Sequence, residues 1–249
     1  MLTTPLYRII HTQMDSILEI GSSVISQAQR RSEIVAQNMA NVATPGYRRQ
    51  ASFASFIDPN KVAVIQPVTY VASVDFSAGK LNETGAMYDI AILGDGFFAL
   101  RREGQVIYTR NGQFSRDADG RLINSAGFAL QTVAGADLVL KGRSFVIGAD
   151  GMVRDDGNEV ARIAAYDFEN RQQLAIFEGG FVAGEAVVPN LTDKAQFRQG
   201  ALETSNVSQG DEMVTLMEAL RRAESGQRII GTYDDLMARV ITIFGDSSR

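Results

Sequence analysis

Five apolar residues near the C-terminus, Leu216, Ala223, Ile230, Met237 and Phe244, fall at strict seven-residue intervals. Such a repeat marks the d position of a heptad and commits the segment to one long helix with an apolar seam. The matching a positions are Met213, Leu220, Gln227, Asp234 and Ile241, so the seam is apolar at its ends and polar in its middle. A polar pair there costs stability but fixes register. As a helix, residues 213–244 would run about 48 Å, too long for burial inside one small domain. The segment therefore needs a partner along its length, unless it is a surface helix on an ordinary core. Ser208 and Asp211 are the candidate caps at its start and Gly245 the candidate stop.

The other end of the chain carries a weaker version of the same pattern. Residues 14–43 hold no proline, and Ile17, Ile20, Val24, Ala28, Val35, Met39 and Val42 recur at three, four or seven residues, which is one face of a helix. Arg31 interrupts that face. The helix is expected to stop at Val42-Ala43-Thr44-Pro45-Gly46, where proline biases Thr44 away from the helical region and glycine accepts a turn. Residues 2–13 show no clear period, which leaves the native start open between Met1 and Met14.

Between the two helices the character changes. Sixteen of the 23 glycines lie in residues 79–184, separated by short apolar runs such as 88–93, 97–100 and 105–109. That punctuation predicts short strands joined by tight turns, with Asn111-Gly112, Asp119-Gly120, Asp150-Gly151 and Asp156-Gly157 as the turn dipeptides. Residues 44–78, with Pro59, Pro67 and mixed polarity, read as an extended arm. The expected organisation is an N-terminal helix over 1–43, the arm over 44–78, a β-rich domain over 79–204 and a C-terminal helix over 205–249. The fold class is α+β: two long terminal helices packing as a coiled-coil-like pair, with a central all-β domain of short strands and hairpins.

Several chemistries are poorly supported. There is no cysteine, which removes disulfides, thiol nucleophiles and Cys-based zinc sites. The one histidine, His11, lies outside the patterned segments, so a histidine-based triad is not expected. The 24 basic residues are scattered against 29 acidic ones, which argues against nucleic acid as a partner. No run approaches the roughly 20 apolar residues of a membrane helix, and the N-terminus lacks the charged and apolar regions of a cleaved signal peptide. Asp117-Ala118-Asp119-Gly120 resembles the start of a calcium loop, yet the position that should supply the bidentate carboxylate is Ala126, and a hairpin turn is the better reading. Gly94-Asp95-Gly96 lacks the pattern of a phosphate-binding loop and reads as a tight turn between two strands. The carboxylate neighbours Asp155-Asp156 and Asp234-Asp235 point in different directions and read as solvated faces. No catalytic residue, metal site or cofactor is expected.

Taken together, several stretches resemble one family, the flagellar basal-body rod and hook proteins of bacteria. Ala40-Asn41-Val42-Ala43-Thr44-Pro45-Gly46-Tyr47 is similar to the segment that closes their N-terminal helix, with Asn41, Thr44, Gly46 and Tyr47 at the motif positions. Thr84-Gly85, then Gly94-Asp95-Gly96-Phe97-Phe98, resembles the opening of their β domain, and residues 108–114, 117–120 and Gly127 its continuation. Leu202-Glu203-Thr204-Ser205-Asn206-Val207 resembles the signature that precedes their C-terminal helix. The resemblance spans roughly residues 14–244.

It implies a structural subunit of the axial rod that transmits torque. Its partners would be other copies of itself, other rod proteins and the flagellar type III export machinery, with no membrane insertion. Its location would be the basal body, in the rod that crosses the periplasm, reached without a cleaved signal. The assembly interface would comprise Ile17, Ile20, Val24, Val35, Met39 and Val42 on the first helix. On the second it would comprise Met213, Leu216, Leu220, Ile230, Met237, Ile241 and Phe244. Length and a single small β domain favour the proximal-rod member over the distal-rod member and argue against the hook protein. The rival from another class is a secreted β-rich binding protein or enzyme with helical appendages.

Overall fold

A computed structural model describes residues 4–54, 70–142 and 144–246. The first half of the chain runs α1 (Thr4–Ala40), β1 (Gln50–Ala54), β2 (Tyr70–Val74), β3 (Leu81–Glu83), β4 (Ile90–Leu93), β5 (Phe97–Arg102), β6 (Gln105–Thr109), β7 (Ser115–Arg116), β8 (Leu122–Ile123) and β9 (Ala129–Leu130). The second half runs β10 (Phe145–Ile147), β11 (Met152–Asp155), β12 (Asn158–Arg162), β13 (Ala165–Asp167), β14 (Ala175–Phe177), β15 (Gly180–Val182), β16 (Asn190–Leu191), β17 (Gln196–Gln199), β18 (Ala201–Glu203) and α2 (Gln209–Asp246). Two helices from the chain ends pack together, and the strands between them are short and antiparallel, so the α+β class holds.

The chain divides into two compact units. One contains Met1–Met39, Gln50–Ser73 and Ser208–Arg249; the other contains Ala40–Arg49 and Val74–Val207.

The first unit is built on α1 and α2. Gly21 lies against Gly226 and Ile230, Arg31 pairs with Glu218 at 3.3 Å, and Asn38 meets Glu212 at 3.2 Å, so the helices run antiparallel. The seam is made by small residues. A Cβ on Gly226 would stand 2.8 Å from Ile25 Cγ1 and 3.1 Å from the Gly21 carbonyl oxygen, and one on Gly21 would stand 2.9 Å from Ile230 Cγ1. On α2 the buried residues are Glu212, Ala219 and Gly226, with half-buried Tyr233 continuing the seven-residue step. That seam lies one residue earlier than the a positions read from the sequence. Met213 and Leu220 are exposed, as are Gln227 and Asp234, while Leu216, Ala223, Ile230 and Met237 flank the seam half-buried. Close approach of two backbones favours alanine and glycine on the line of contact, and this displaces the larger side chains to its margins.

Helix boundaries also differ from expectation. α1 starts at Thr4, well before Met14, because Pro5 is tolerated in a first turn and no further breaker follows until after Ala40. It ends at Ala40, three residues ahead of the expected stop. There the Thr44 N–H donates to the Asn41 carbonyl at 3.1 Å, and the Tyr47 N–H to the Thr44 carbonyl at 3.3 Å. Ser208 caps α2 as expected, its carbonyl accepting the Glu212 N–H at 3.0 Å, but the helix continues through Gly245 to Asp246. The segment read as an extended arm carries β1 and β2, which pair with each other. Pro59 and Pro67 lie outside the described residues.

The second unit is organised by β5. Its residues alternate between two faces, as a strand must, and both faces are covered. Phe98 and Leu100 enter a core with Ile90, Ile107, Leu122, Phe128, Leu130 and Val153, while Phe97 and Ala99 enter a second cluster with Tyr108, Phe168 and Phe181. A nine-stranded sheet runs β14-β15-β6-β5-β9-β8-β7, with β13 also on β5 and β16 on β13. Smaller sheets pair β4 with β17, β3 with β18, and β10, β11 and β12 in order.

The glycine dipeptides divide by mechanism. Asp156-Gly157 makes the β11–β12 turn with φ of 46° and 87°, and Glu103-Gly104 and Glu178-Gly179 make equivalent turns without any asparagine or aspartate. Asn111-Gly112 is not such a turn. Gly112 is required because a Cβ there would lie 1.6 Å from the Ile90 carbonyl oxygen. Gly94-Asp95-Gly96 has positive φ at both glycines but joins two strands that do not pair with each other, β4 and β5. The Asp117 loop is the β7–β8 hairpin: its carboxylate accepts the N–H groups of Asp119 (3.0 Å) and Arg121 (2.8 Å) and pairs with the Arg121 guanidinium at 2.8 Å. Arg121 occupies the carboxylate that a cation would need.

Candidate functional site

The turn after α1 supplies the first component. Gly46 has φ 67°, and a Cβ there would fall 2.3 Å from the Arg110 carbonyl carbon, so no other residue fits. Its N–H donates to the Glu203 carbonyl at 2.8 Å, and the Asn206 N–H donates to the Tyr47 carbonyl at 3.4 Å. The segment ending the N-terminal motif is thereby laid along the segment that precedes α2.

Asn206 fastens a third piece of chain. Its Oδ1 accepts the Arg49 N–H at 2.7 Å, and its Nδ2 donates to the carbonyls of Asp75 (2.9 Å) and Ser77 (3.0 Å). Asparagine alone carries acceptor and donors on one planar group of this length, which suits it to stitching three backbones. Thr44 Oγ1 donates to Asn41 Oδ1 at 3.1 Å and closes the turn behind it.

Beneath these bonds lies a buried charge cluster. Glu203 on β18 accepts from Arg48 Nη2 at 2.7 Å and from the Gly79 N–H at 2.8 Å through Oε1, while Arg110 Nη1 stands 3.4 Å from Oε2. The three side chains are 5%, 1% and 6% exposed for Glu203, Arg48 and Arg110. Arg110 also donates to the carbonyls of Ile92, at 3.0 Å, and Gly94, and lies 5.7 Å over the Phe97 ring. Burial pushes the Arg110 guanidinium down to about 10; Glu203 opposes that shift and Arg48 adds to it. Two buried cations thus depend on one carboxylate.

The structure therefore gathers the motif residues, distant in sequence, around one point. Asn41, Thr44, Gly46, Tyr47 and Asn206 form the stitched segments; Gly94, Asp95, Gly96, Phe97 and Phe98 form the loop and strand start that Arg110 holds. Asp95, in the loop that Arg110 holds, pairs with Arg171 at 2.8 Å nearer the surface. Sequence reasoning did not single out Arg48, Arg110 or Glu203, because a buried ion pair leaves no periodic trace. The one available signal was that Arg110 and Glu203 fall inside stretches similar to the family.

The helix residues separate into groups. Val35 is buried in the seam with Ala28; Val24, Met39 and Val42 are half-buried, as are Leu216, Ile230 and Met237. Ile20, Met213 and Leu220 are exposed, and with them Val214 and Met217, so one side of the first half of α2 presents large apolar side chains. The side chains of Ile17, Ile241 and Phe244 lie outside the described residues.

The motif segments gathered here coincide with matches to known proteins. Residues 91–155 match the model of the flagellar hook protein FlgE/F/G D1 domain, and residues 198–243 that of the flagellar basal body rod FlgEFG protein C-terminal region. The chain carries two domains of the flagellar hook and basal-body rod proteins. The flagellar basal-body rod protein FlgF of Caulobacter vibrioides is 29% identical over 243 residues, covering 93% of this chain and 99% of the relative. FlgF of Mesorhizobium japonicum is also 29% identical, covering 85% and 90%. FlgG of Buchnera aphidicola from Schizaphis graminum is 26% identical, covering 90% and 97%. The two flagellar family models fall on the β unit and on α2, so the likeness reaches both units. Among the described residues no helix is long and apolar enough to cross a membrane.

Proposed function

We propose that this chain is a non-catalytic structural subunit of the flagellar basal-body rod, assembling with copies of itself and with other rod proteins into the torque-transmitting shaft. The observation that carries the reading is the outward apolar side of α2. Met213, Met217 and Leu220, spaced on one helix face, are each about half exposed although the seam with α1 is already filled by small residues. Large side chains left outside a finished seam favour a contact with another subunit, and each would contribute about 1 kcal/mol on further burial. A head-to-tail contact that does not close on itself extends as a helix, which is the symmetry of a tube.

Within the family we assign the chain to the proximal rod, in line with its length and its FlgF relatives. Residence in the part of the rod that crosses the periplasm, and export by the flagellar type III apparatus without a cleaved signal, belong to the same proposal. So does the interface made of the residues named on the two helices. The distal rod is the second reading, favoured by FlgG relatives of similar coverage; the position of the tagged subunit in imaged basal bodies decides between them.

The decisive experiment replaces the chromosomal copy with Leu220→Asp. The variant protein should be made, folded and exported, while basal bodies stop short and the cells do not swim. Normal swimming by this variant would remove the basis of the assignment.

A further inference from the structure

Asn38, Gln50 and Glu212 come from three different elements of the helical unit and are all buried, Asn38 and Glu212 completely. Asn38 Oδ1 accepts the Gln50 N–H at 2.9 Å, and its Nδ2 donates to the Gln50 carbonyl at 2.8 Å. The amide thus treats Gln50 as an antiparallel neighbour in a sheet would, satisfying both backbone groups at the start of β1. The same Nδ2 donates to Glu212 Oε2 at 3.2 Å. Glu212 lies in the first turn of α2, where the helix dipole favours its negative charge.

We infer that Asn38 and Glu212 are positioning residues that make α1, α2 and the paired strands β1 and β2 order as one body. A buried network tolerates completion or absence far better than a half-made state. Withdrawing the start of α2 would strip the carboxylate acceptor from Asn38; withdrawing β1 would remove both bonds between the Asn38 amide and the Gln50 backbone. Either loss removes a hydrogen bond at a buried polar group, and that cost makes the pieces gain or lose order together. Gly21 and Gly226 allow the helices to approach closely, and this cluster fixes which residues meet.

This goes beyond the rod assignment and relies on it only for an in-cell measurement. The test compares wild type, Asn38→Asp and Asn38→Asp/Glu212→Gln in the full-length chain by hydrogen exchange at β1 and at the first turns of α2. Asn38→Asp puts two carboxylates together and should accelerate exchange in both segments by about tenfold or more. Adding Glu212→Gln restores a donor opposite the new carboxylate and should recover at least half of that loss on a logarithmic scale, a charge-specific rescue that packing alone would not produce. The proposal is overturned if the wild-type segments exchange freely, if only one of the two segments responds, or if Glu212→Gln rescues nothing. Swimming should follow exchange across the three proteins. A double variant protected in solution but non-swimming upholds the coupling and counts against the rod reading.

Discussion

The β unit and the helix pair solve the same problem in opposite ways. In the β unit both faces of β5 are covered, and Phe97, Phe98, Phe128, Ile90 and Leu100 have almost no exposed surface. In the helix pair the fully enclosed positions go to Ala28, Val35, Ala219 and the two glycines, with Asn38 and Glu212 at one end, while Met213, Met217, Leu220 and Leu236 face outward. A sheet with covered faces encloses its largest side chains within one chain, although Val146, Ile176 and Val188 at its periphery stay exposed. A pair of helices about 55 Å long, joined along a narrow seam of small residues, cannot do so. The difference separates a part built around an enclosed aromatic core from a part joined along small residues, with its larger side chains outside the seam.

The comparison can be broken most forcefully at the buried charge cluster. Glu203→Gln leaves Arg48 and Arg110 without their carboxylate and should destabilise the β unit by about 3–5 kcal/mol, measured by urea unfolding followed in the near-ultraviolet aromatic signal. Gly226→Val attacks the other unit: the added atoms meet Ile25 and the Gly21 carbonyl, and the helix pair should lose about 1–3 kcal/mol while aromatic signals of the β unit keep their midpoint. A shared transition would show that the two regions are one cooperative block.

A subtler pair sharpens the contrast within α2. Leu220→Asp, on the outward side, should change the stability of the isolated chain by no more than about 0.5 kcal/mol yet abolish assembly. Ile230→Asp, which touches Gly21, should damage both. The smallest effect concerns acid. Burial opposes ionisation of Asp167, but hydrogen bonds from Arg171 and from the Phe168 N–H outweigh it and hold the carboxyl below the ordinary aspartate value of 3.8. A depressed value in the folded state means stability present above 3.8 and lost as the pH falls through the lower folded value. With the side chain 31% exposed, solvent screening limits this to under about 1 kcal/mol, so Asp167→Asn should only slightly flatten the acid limb of a stability profile.

How much was legible varies by element. Phe97-Phe98-Ala99-Leu100 between glycine turns was readable as a short strand, but that both its faces are covered was decided by the packing around it. The heptad of Leu216, Ala223 and Ile230 correctly indicated a long paired helix. It misplaced the line of contact, because Gly226 and Ala219 carry no hydrophobic signal although close approach of backbones selects them. The Asn111-Gly112 turn failed for a related reason: glycine serves both positive φ and tight contact, and sequence does not distinguish them.

By itself the sequence determined the two terminal helices and the strand-rich middle, because apolar period and turn residues act over a few positions along the chain; the resemblance to the flagellar family came from its motif stretches instead. Only the tertiary structure decided that Arg48, Arg110 and Glu203 share one buried site, that Asn206 stitches three segments, and that Asn38 meets Glu212 across 174 positions. Those pairings are set by where the backbone brings polar groups out of water, and burial of that kind has no local pattern to read.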